Sequence, residues 1–439
     1  MRVKDPLKPK ARHWPFLWPF AALLVSASGC NVEQQHFPKE ESAADVKKTS
    51  YFVGKKSTSI ETDSGSDLVN CRPEERKTYV NSSQTDPEPM GLDRYSVPDN
   101  QFRNVDKRPP VLAVRMLDHT AFGVPIGLFS DQTFLMRNDG AIQQIKNCDI
   151  VHQAILIDRF RPIERSELAQ QLRTEFGRNY TVKSELPYLI VARPEQIDNW
   201  CKRFRSFHYS FKLDCSTHGL QTRDIEFPLV AVVFGSPTEF QGYARSEPIK
   251  VPESVVGYYM PDTNRILLYE DTGPSTIATE KVICHEATHQ LAFNTGLHQR
   301  RASTPLWLAE GFASMFEAPM LSGSQNCDGR SLWPESRKHT WQLIAKRPES
   351  IHRLMAGLVQ NDSAFESDAQ NAYAVAWAMA TYLSQRSPRM FGPYLNRISE
   401  LPPFETYGAD QRVEDFQSAF GADIRLLSKK IIKYLETLD

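Results

Sequence analysis

The chain has 439 residues, 41% of them hydrophobic, with 52 basic and 53 acidic side chains and a formal net charge of −1. That balance offers no electrostatic attraction for nucleic acid, and the apolar fraction is ample for a buried core. A protein or peptide partner is therefore expected, and no nucleic acid.

Arg2, Lys4, Lys8, Lys10 and Arg12 form a basic leader, Trp14 to Val25 a short apolar stretch, and Ala27-Ser28-Gly29-Cys30 resembles a bacterial lipobox. Residues 1–29 are then a lipoprotein signal peptide and Cys30 the lipidated first residue of an exported, cell-envelope protein held at the membrane by its N-terminal lipid. The competing readings are an uncleaved anchor or an ordinary signal peptide. The apolar stretch falls short of the roughly 20 residues a spanning helix needs, and Pro15 and Pro19 interrupt it. Asn31 in place of Asp leaves the final membrane open. Residues 30–107, rich in Ser, Thr, Asp, Glu, Lys and Asn, read as a disordered tether, with a propeptide as the alternative.

Strand-like runs at Val111–Val114, Ile126–Phe129 and Thr133–Met136, with the turn Asn138-Asp139-Gly140, predict a small antiparallel β unit over residues 108–157. Helix and strand alternate beyond it. Ser166–Phe176 reads as a helix, Tyr180–Arg193 as a hairpin, Glu195–Phe211 as an amphipathic helix and Leu229–Phe234 as a buried strand. Gly257–Met260 and Arg265–Tyr269 read as two strands. The expected fold class is α+β.

Residues 282–291, Val-Ile-Cys-His-Glu-Ala-Thr-His-Gln-Leu, place His285, Glu286 and His289 in the H-E-x-x-H pattern of zinc hydrolases. On a helix, i and i+4 share one face, so two imidazoles converge on one ion. Glu286 stands about 100° round the helix, beyond the natural position of a third ligand and within reach of the attacking water, as general base. Ser275 or Thr276 can cap this helix, Ile283, Ala287 and Leu291 give it an apolar stripe, and Asn294-Thr295-Gly296 can stop it. A half-buried helix is the result expected.

A second helix follows, with Thr304 able to cap it and Pro305 suited to its first position. Glu310 on this helix completes a His2Glu set with one coordination position open, the arrangement of catalytic zinc. Glu317, seven residues on, faces a similar way and is the reserve ligand, or else a solvated or salt-bridged helix end. The metzincin extension would need Gly and His where the chain has Ala292 and Thr295.

His285-Glu286-x-x-His289 followed by Trp-Leu-Ala-Glu-Gly-Phe-Ala at 307–313 resembles the gluzincin metallopeptidases. The flanking sequence resembles an uncharacterised planctomycete family of H-E-x-x-H proteins. That likeness covers Arg159–Pro162, Phe227–Phe234, Gly257–Tyr259, Asn264–Tyr269, Tyr373 and Ala376–Ala378, roughly residues 110 to 439. It implies a thermolysin-type metallopeptidase domain over residues 158–439 with a helical C-terminal lobe, in which His285, His289 and Glu310 bind Zn2+ and Glu286 activates water. Ser314 stands where the thermolysin-like pattern commonly has an Asp that orients a zinc-bound imidazole, so the orienting groups are open. An edge strand before the zinc helix pairs with extended substrate in such enzymes; ordinary sheet structure is the equal alternative for either strand here.

The resemblance also offers Tyr373 as the hydrogen-bond donor to the oxyanion. Its i, i+4 spacing to Trp377 fits equally a helix that packs its aromatic face into a core. His298, His339 and His352 could serve instead. Of seven cysteines, Cys201 and Cys215 are the nearest pair for a disulfide in an exported protein, and Cys284 reads as a small buried residue. The function expected is zinc-dependent hydrolysis of peptide bonds; the alternative is a noncatalytic surface lipoprotein that uses a peptidase scaffold for binding.

Overall fold

The structure, a computed structural model, describes residues 108–246, 250–270, 276–317 and 335–437. The expected signal peptide, Cys30 and the tether lie outside the described residues, as do Cys71, Ser275 and Cys327. No helix among the described residues is long and apolar enough to cross a membrane. The fold is mixed α and β, with two five-stranded sheets followed by a helical C-terminal region.

The first sheet is the predicted antiparallel unit. It comprises β1 (Pro110–Arg115), β2 (Thr120–Leu128), β3 (Gln132–Met136), β4 (Ile142–Lys146) and β5 (His152–Arg159), in the order β4-β3-β2-β1-β5. Every neighbouring pair is antiparallel. β5 runs on to Arg159, past the boundary expected at residue 157, because Arg159 still pairs with Pro110.

The second sheet is mixed. β6 (Thr181–Glu185), β7 (Tyr188–Ala192), β8 (Leu229–Phe234), β9 (Gly257–Met260) and β10 (Arg265–Tyr269) take the order β6-β7-β8-β10-β9. β8 runs parallel to both β7 and β10, and all six of its residues are buried. A central strand covered on both faces needs such an unbroken apolar run. On one face Leu189, Val191, Val232 and Leu267 cluster with residues of α1 (Arg165–Phe176) and α3 (Pro237–Ala244). On the other, Ile190, Ala231 and Ile266 join a larger core with α2 (Ile197–Thr217) and α4 (Thr276–Asn294). α3 escaped the sequence reading although its start carries a signal, Ser236 accepting the Glu239 N–H at 3.2 Å with Pro237 opening the helix. β9 forms one edge of this sheet.

The Cys201–Cys215 pairing is corrected. Both lie buried on α2, and fourteen residues of helix separate their Cα atoms by about 21 Å, three times the reach of a disulfide. Burial pushes both thiols up from the ordinary value, so they behave as inert core residues.

α4 is not the half-buried helix expected: every residue from Val282 to Phe293 is buried. Its apolar stripe Ile283, Ala287 and Leu291 lies in the main core, and β9, β10, α2 and α5 (Leu306–Met315) pack on it. Gly296, at φ 79°, ends it as the sequence suggested. α5 is capped differently from expectation. Pro305 stands just outside the helix, and the Leu306 N–H is accepted at 3.0 Å by Asp362, brought in from 56 residues downstream.

The lobe consists of α6 (Glu335–Ala345), α7 (Pro348–Gln360), α8 (Ala364–Ser367), α9 (Ala369–Arg386), α10 (Pro388–Ser399), α11 (Ala409–Phe420) and α12 (Ile424–Glu436). α5 packs closely on α9, where Ala376 and Ala380 leave room for the backbone of Gly311. A Cβ at Gly311 would lie 2.4 Å from the Ala376 carbonyl oxygen, backbone that cannot turn aside. Gly311→Ala is therefore expected to destabilise the protein by about 1–3 kcal/mol, read as a lower urea midpoint at unchanged slope.

The two sheets meet at their hairpins. The Ile142 N–H donates to the Asp262 carbonyl at 2.6 Å, and buried Arg300 donates to the carbonyls of Gly140 and, at 3.2 Å, Pro261. Arg301 bridges to Asp262 and lays its guanidinium 5.2 Å from the Phe134 ring centre. The β3–β4 turn thus braces the turn between β9 and β10.

Candidate metal centre

α4 and α5 bring the predicted ligands together. The ligand atoms of His285, His289 and Glu310 all lie within 4.8 Å of one another, and these three residues are the potential metal-holding group among the described residues. The two Nε2 atoms are 3.0 Å apart, His285 Nε2 is 3.2 Å from Glu310 Oε2, and His289 Nε2 is 3.6 Å from Glu310 Oε1. A tetrahedral zinc with bonds of about 2.0–2.2 Å has ligand-to-ligand edges of about 3.3–3.6 Å, which these distances bracket.

The chemistry of the donors agrees. Glu317 is buried at 4% exposure and accepts His285 Nδ1–H at 3.0 Å. A carboxylate only accepts, so Nδ1 carries the proton and the Nε2 lone pair of neutral His285 points at Glu310 and His289. A lone pair facing a carboxylate is repulsive unless a cation or a proton stands between them. Burial alone would lower the His285 pKa, yet Glu310 and Glu317 on its two ring nitrogens outweigh that and raise it to about 10. Glu310 shows the converse: burial would raise it, but His289 and His285 bring it down to about 2. The pocket is built to hold positive charge, and the donor set fits Zn2+.

Glu317 is thus not a ligand at the cluster. It orients His285, the role left open when Ser314 replaced the expected Asp, and Ser314 contributes by donating its hydroxyl to Glu317 Oε1 at 3.1 Å. Arg337, from α6, donates Nη2 to Glu317 Oε1 at 2.8 Å and Nε to Oε2 at 3.1 Å. Against the cost of burial, the Arg337 charge, followed by His285, holds the Glu317 carboxyl below the usual range. Arg337 carried no sequence signal.

Glu286 is 3% exposed and its Oε2 accepts the backbone N–H of Tyr259, on β9, at 2.6 Å. Burial raises its pKa to about 8. Tyr259 is held in turn. Its hydroxyl donates to Asn264 Oδ1 at 2.9 Å, Asn264 sits at φ 57° in the β9–β10 turn, and Gln290 of α4 donates to the Asn264 carbonyl at 2.7 Å. The helix that carries His285 and His289 therefore also fixes the edge strand.

Tyr373 lies at the cluster. It is 8% exposed, and burial followed by the neighbouring Glu310 carboxylate raises its pKa well above 10. Its ring and Trp377 also belong to the main core, as their i, i+4 spacing suggested. His298 is buried between Phe293 and Phe312, and burial pushes its pKa to about 3. His339 is exposed and His352 half-buried, and none of these three joins the ligand group.

Residues 276–405, a little under a third of the chain, match a family described as "Protein of unknown function (DUF1570)". That span holds His285, Glu286, His289, Glu310, Glu317, Arg337 and Tyr373; Tyr259 and both sheets precede it. A search of curated proteins gives no match.

Proposed function

We propose that this chain is a zinc-dependent peptidase of gluzincin type, with Zn2+ held by His285, His289 and Glu310, exported as a lipoprotein and anchored through Cys30. The observation that carries the reading is the buried triangle of donors, 3.0 to 3.6 Å on its edges, with Glu286 on the same helix. Zinc, when bound, supplies Lewis-acid polarisation of the scissile carbonyl and a water of lowered pKa.

The chain's own residues do the rest. Glu286 takes the proton of the attacking water and passes it to the leaving amine. The Tyr373 hydroxyl stays protonated across the neutral range and donates to the developing oxyanion. β9, at the sheet edge, offers its outer side to an extended peptide as an added strand. The Tyr259 N–H that such a strand would engage is the one Glu286 accepts in the free protein, so peptide binding releases Glu286 toward the water.

The test is zinc content of the purified full-length protein together with cleavage of a mixed peptide library. One zinc per chain and cleavage lost to chelator and restored by zinc are the expected results. Zinc with no cleavage of any peptide would favour a binding protein built on a peptidase scaffold, and no bound zinc would end the metallopeptidase reading.

A further inference from the structure

We infer that Arg337 is a positioning residue that ties the two arms of the site together: one guanidinium sets the orientation of His285 through Glu317 and holds Tyr373 over Glu310. The inference rests on the zinc reading above.

The first arm is ionic. Oε1 of Glu317 receives His285 Nδ1–H, the Ser314 hydroxyl and Arg337 Nη2, while Oε2 receives Arg337 Nε. A carboxylate this deeply buried persists only with a countercharge, and Arg337 is the cation that meets it. The two-pronged contact also fixes the rotation of the carboxylate and, through it, the plane of the imidazole. The second arm is aromatic. The Arg337 guanidinium carbon stands 4.7 Å from the centre of the Tyr373 ring, whose edge meets Phe365 with the planes at 87° and centres 5.2 Å apart. Held by these two contacts, the ring keeps its hydroxyl against Glu310. A planar, delocalised cation is required, since the fork serves Glu317 while the face serves Tyr373. Lysine would restore charge and neither shape.

The experiment compares full-length wild type, Arg337→Lys, Tyr373→Phe and the double variant, in zinc affinity by chelator competition and in kcat and KM. Arg337→Lys is expected to weaken zinc binding about tenfold and to lower kcat by at least about tenfold with KM within about twofold. Tyr373→Phe is expected to cost much less in the Arg337→Lys background than in wild type, because the tyrosine is already released. Wild-type zinc affinity in Arg337→Lys, or losses that simply add, would overturn the inference, whereas a wild type that holds no zinc overturns the zinc reading itself. Should Arg337→Lys not fold, Glu317→Gln with Arg337→Gln removes both buried charges at once. The same weaker zinc binding and reduced Tyr373→Phe cost are expected there, and wild-type values for both would again overturn the inference.

Discussion

Glu286→Gln is expected to keep one zinc per chain and to lose about 10²- to 10⁴-fold in kcat, the range that a positioned general base supplies. The amide is the same size as the carboxylate, and its oxygen can still accept the Tyr259 N–H that holds Glu286 now. No ligand atom is touched. The substitution also removes a titration. Burial raises the Glu286 pKa to about 8 from an unfolded value near 4.5, so its contribution to stability is complete below about 4.5 and is lost as pH rises through about 8. In metal-free protein the glutamine variant should therefore lose less stability than wild type as pH rises from about 4.5 to 8, with parallel profiles above that. Metal analysis, steady-state kinetics and urea titrations read the three effects separately; full activity in the variant would remove Glu286 from the mechanism.

The second large effect is acid lability carried by His298. Its imidazole is buried at 2% exposure between two phenyl rings, and burial outweighs the backbone hydrogen bond at Leu297. Burial holds the folded pKa near 3, against about 6.5 unfolded. The unfolded state takes up the proton first, so this contribution is complete above about 6.5 and is lost as pH falls toward 3. The total is on the order of 5 kcal/mol. Glu310 and Glu317, with depressed pKa values, add acid lability only below about 4.5. Between those limits His298→Leu should flatten the fall in urea midpoint relative to wild type. Parallel profiles would show that the ring is charged in the folded protein.

α4 was legible because its signal is local. Two imidazoles four residues apart and a carboxylate between them need only a helix to share its surface, and Glu310 follows from a second helix that begins directly after Pro305. Glu317 was legible in its ordinary reading, a salt-bridged helix end, and the reserve reading as a ligand is the one the structure does not support. Its distance along α5 suggested a shared direction, whereas it meets Nδ1 of His285 on the side away from the cluster. Arg337 and Tyr259 were beyond reach for different reasons. Arg337 arrives on another helix twenty residues after Glu317, and an isolated arginine has no pattern. Tyr259 acts through its backbone N–H, which every non-proline residue carries, so its chemistry leaves no mark on the side-chain sequence.

The same division runs through the fold. Strands with apolar runs and the longer helices were found nearly in place, although α2 continues to Thr217, while α3, eight residues long, passed unnoticed despite its Ser236 cap. The order β6-β7-β8-β10-β9 is a long-range property. It depends on which apolar faces meet after the helices cross, and no single strand records its neighbours. The burial of α4 follows from that order, since a helix enclosed by a sheet and two further helices, α2 and α5, has no wet side whatever its own periodicity.

Arg300 ties these units into a single cooperative whole. Its guanidinium, 7% exposed, is satisfied by the carbonyls of Gly140 in the first sheet and Pro261 beside the second. A chain cut after residue 157 would keep the buried cation and lose one of its acceptors, and a chain starting at residue 276 would also strip β9 and β10 from the inner face of α4. The span that matches the family model and holds the candidate ligands is therefore packed against, and hydrogen-bonded to, the two sheets that precede it, and is expected to need them in order to fold.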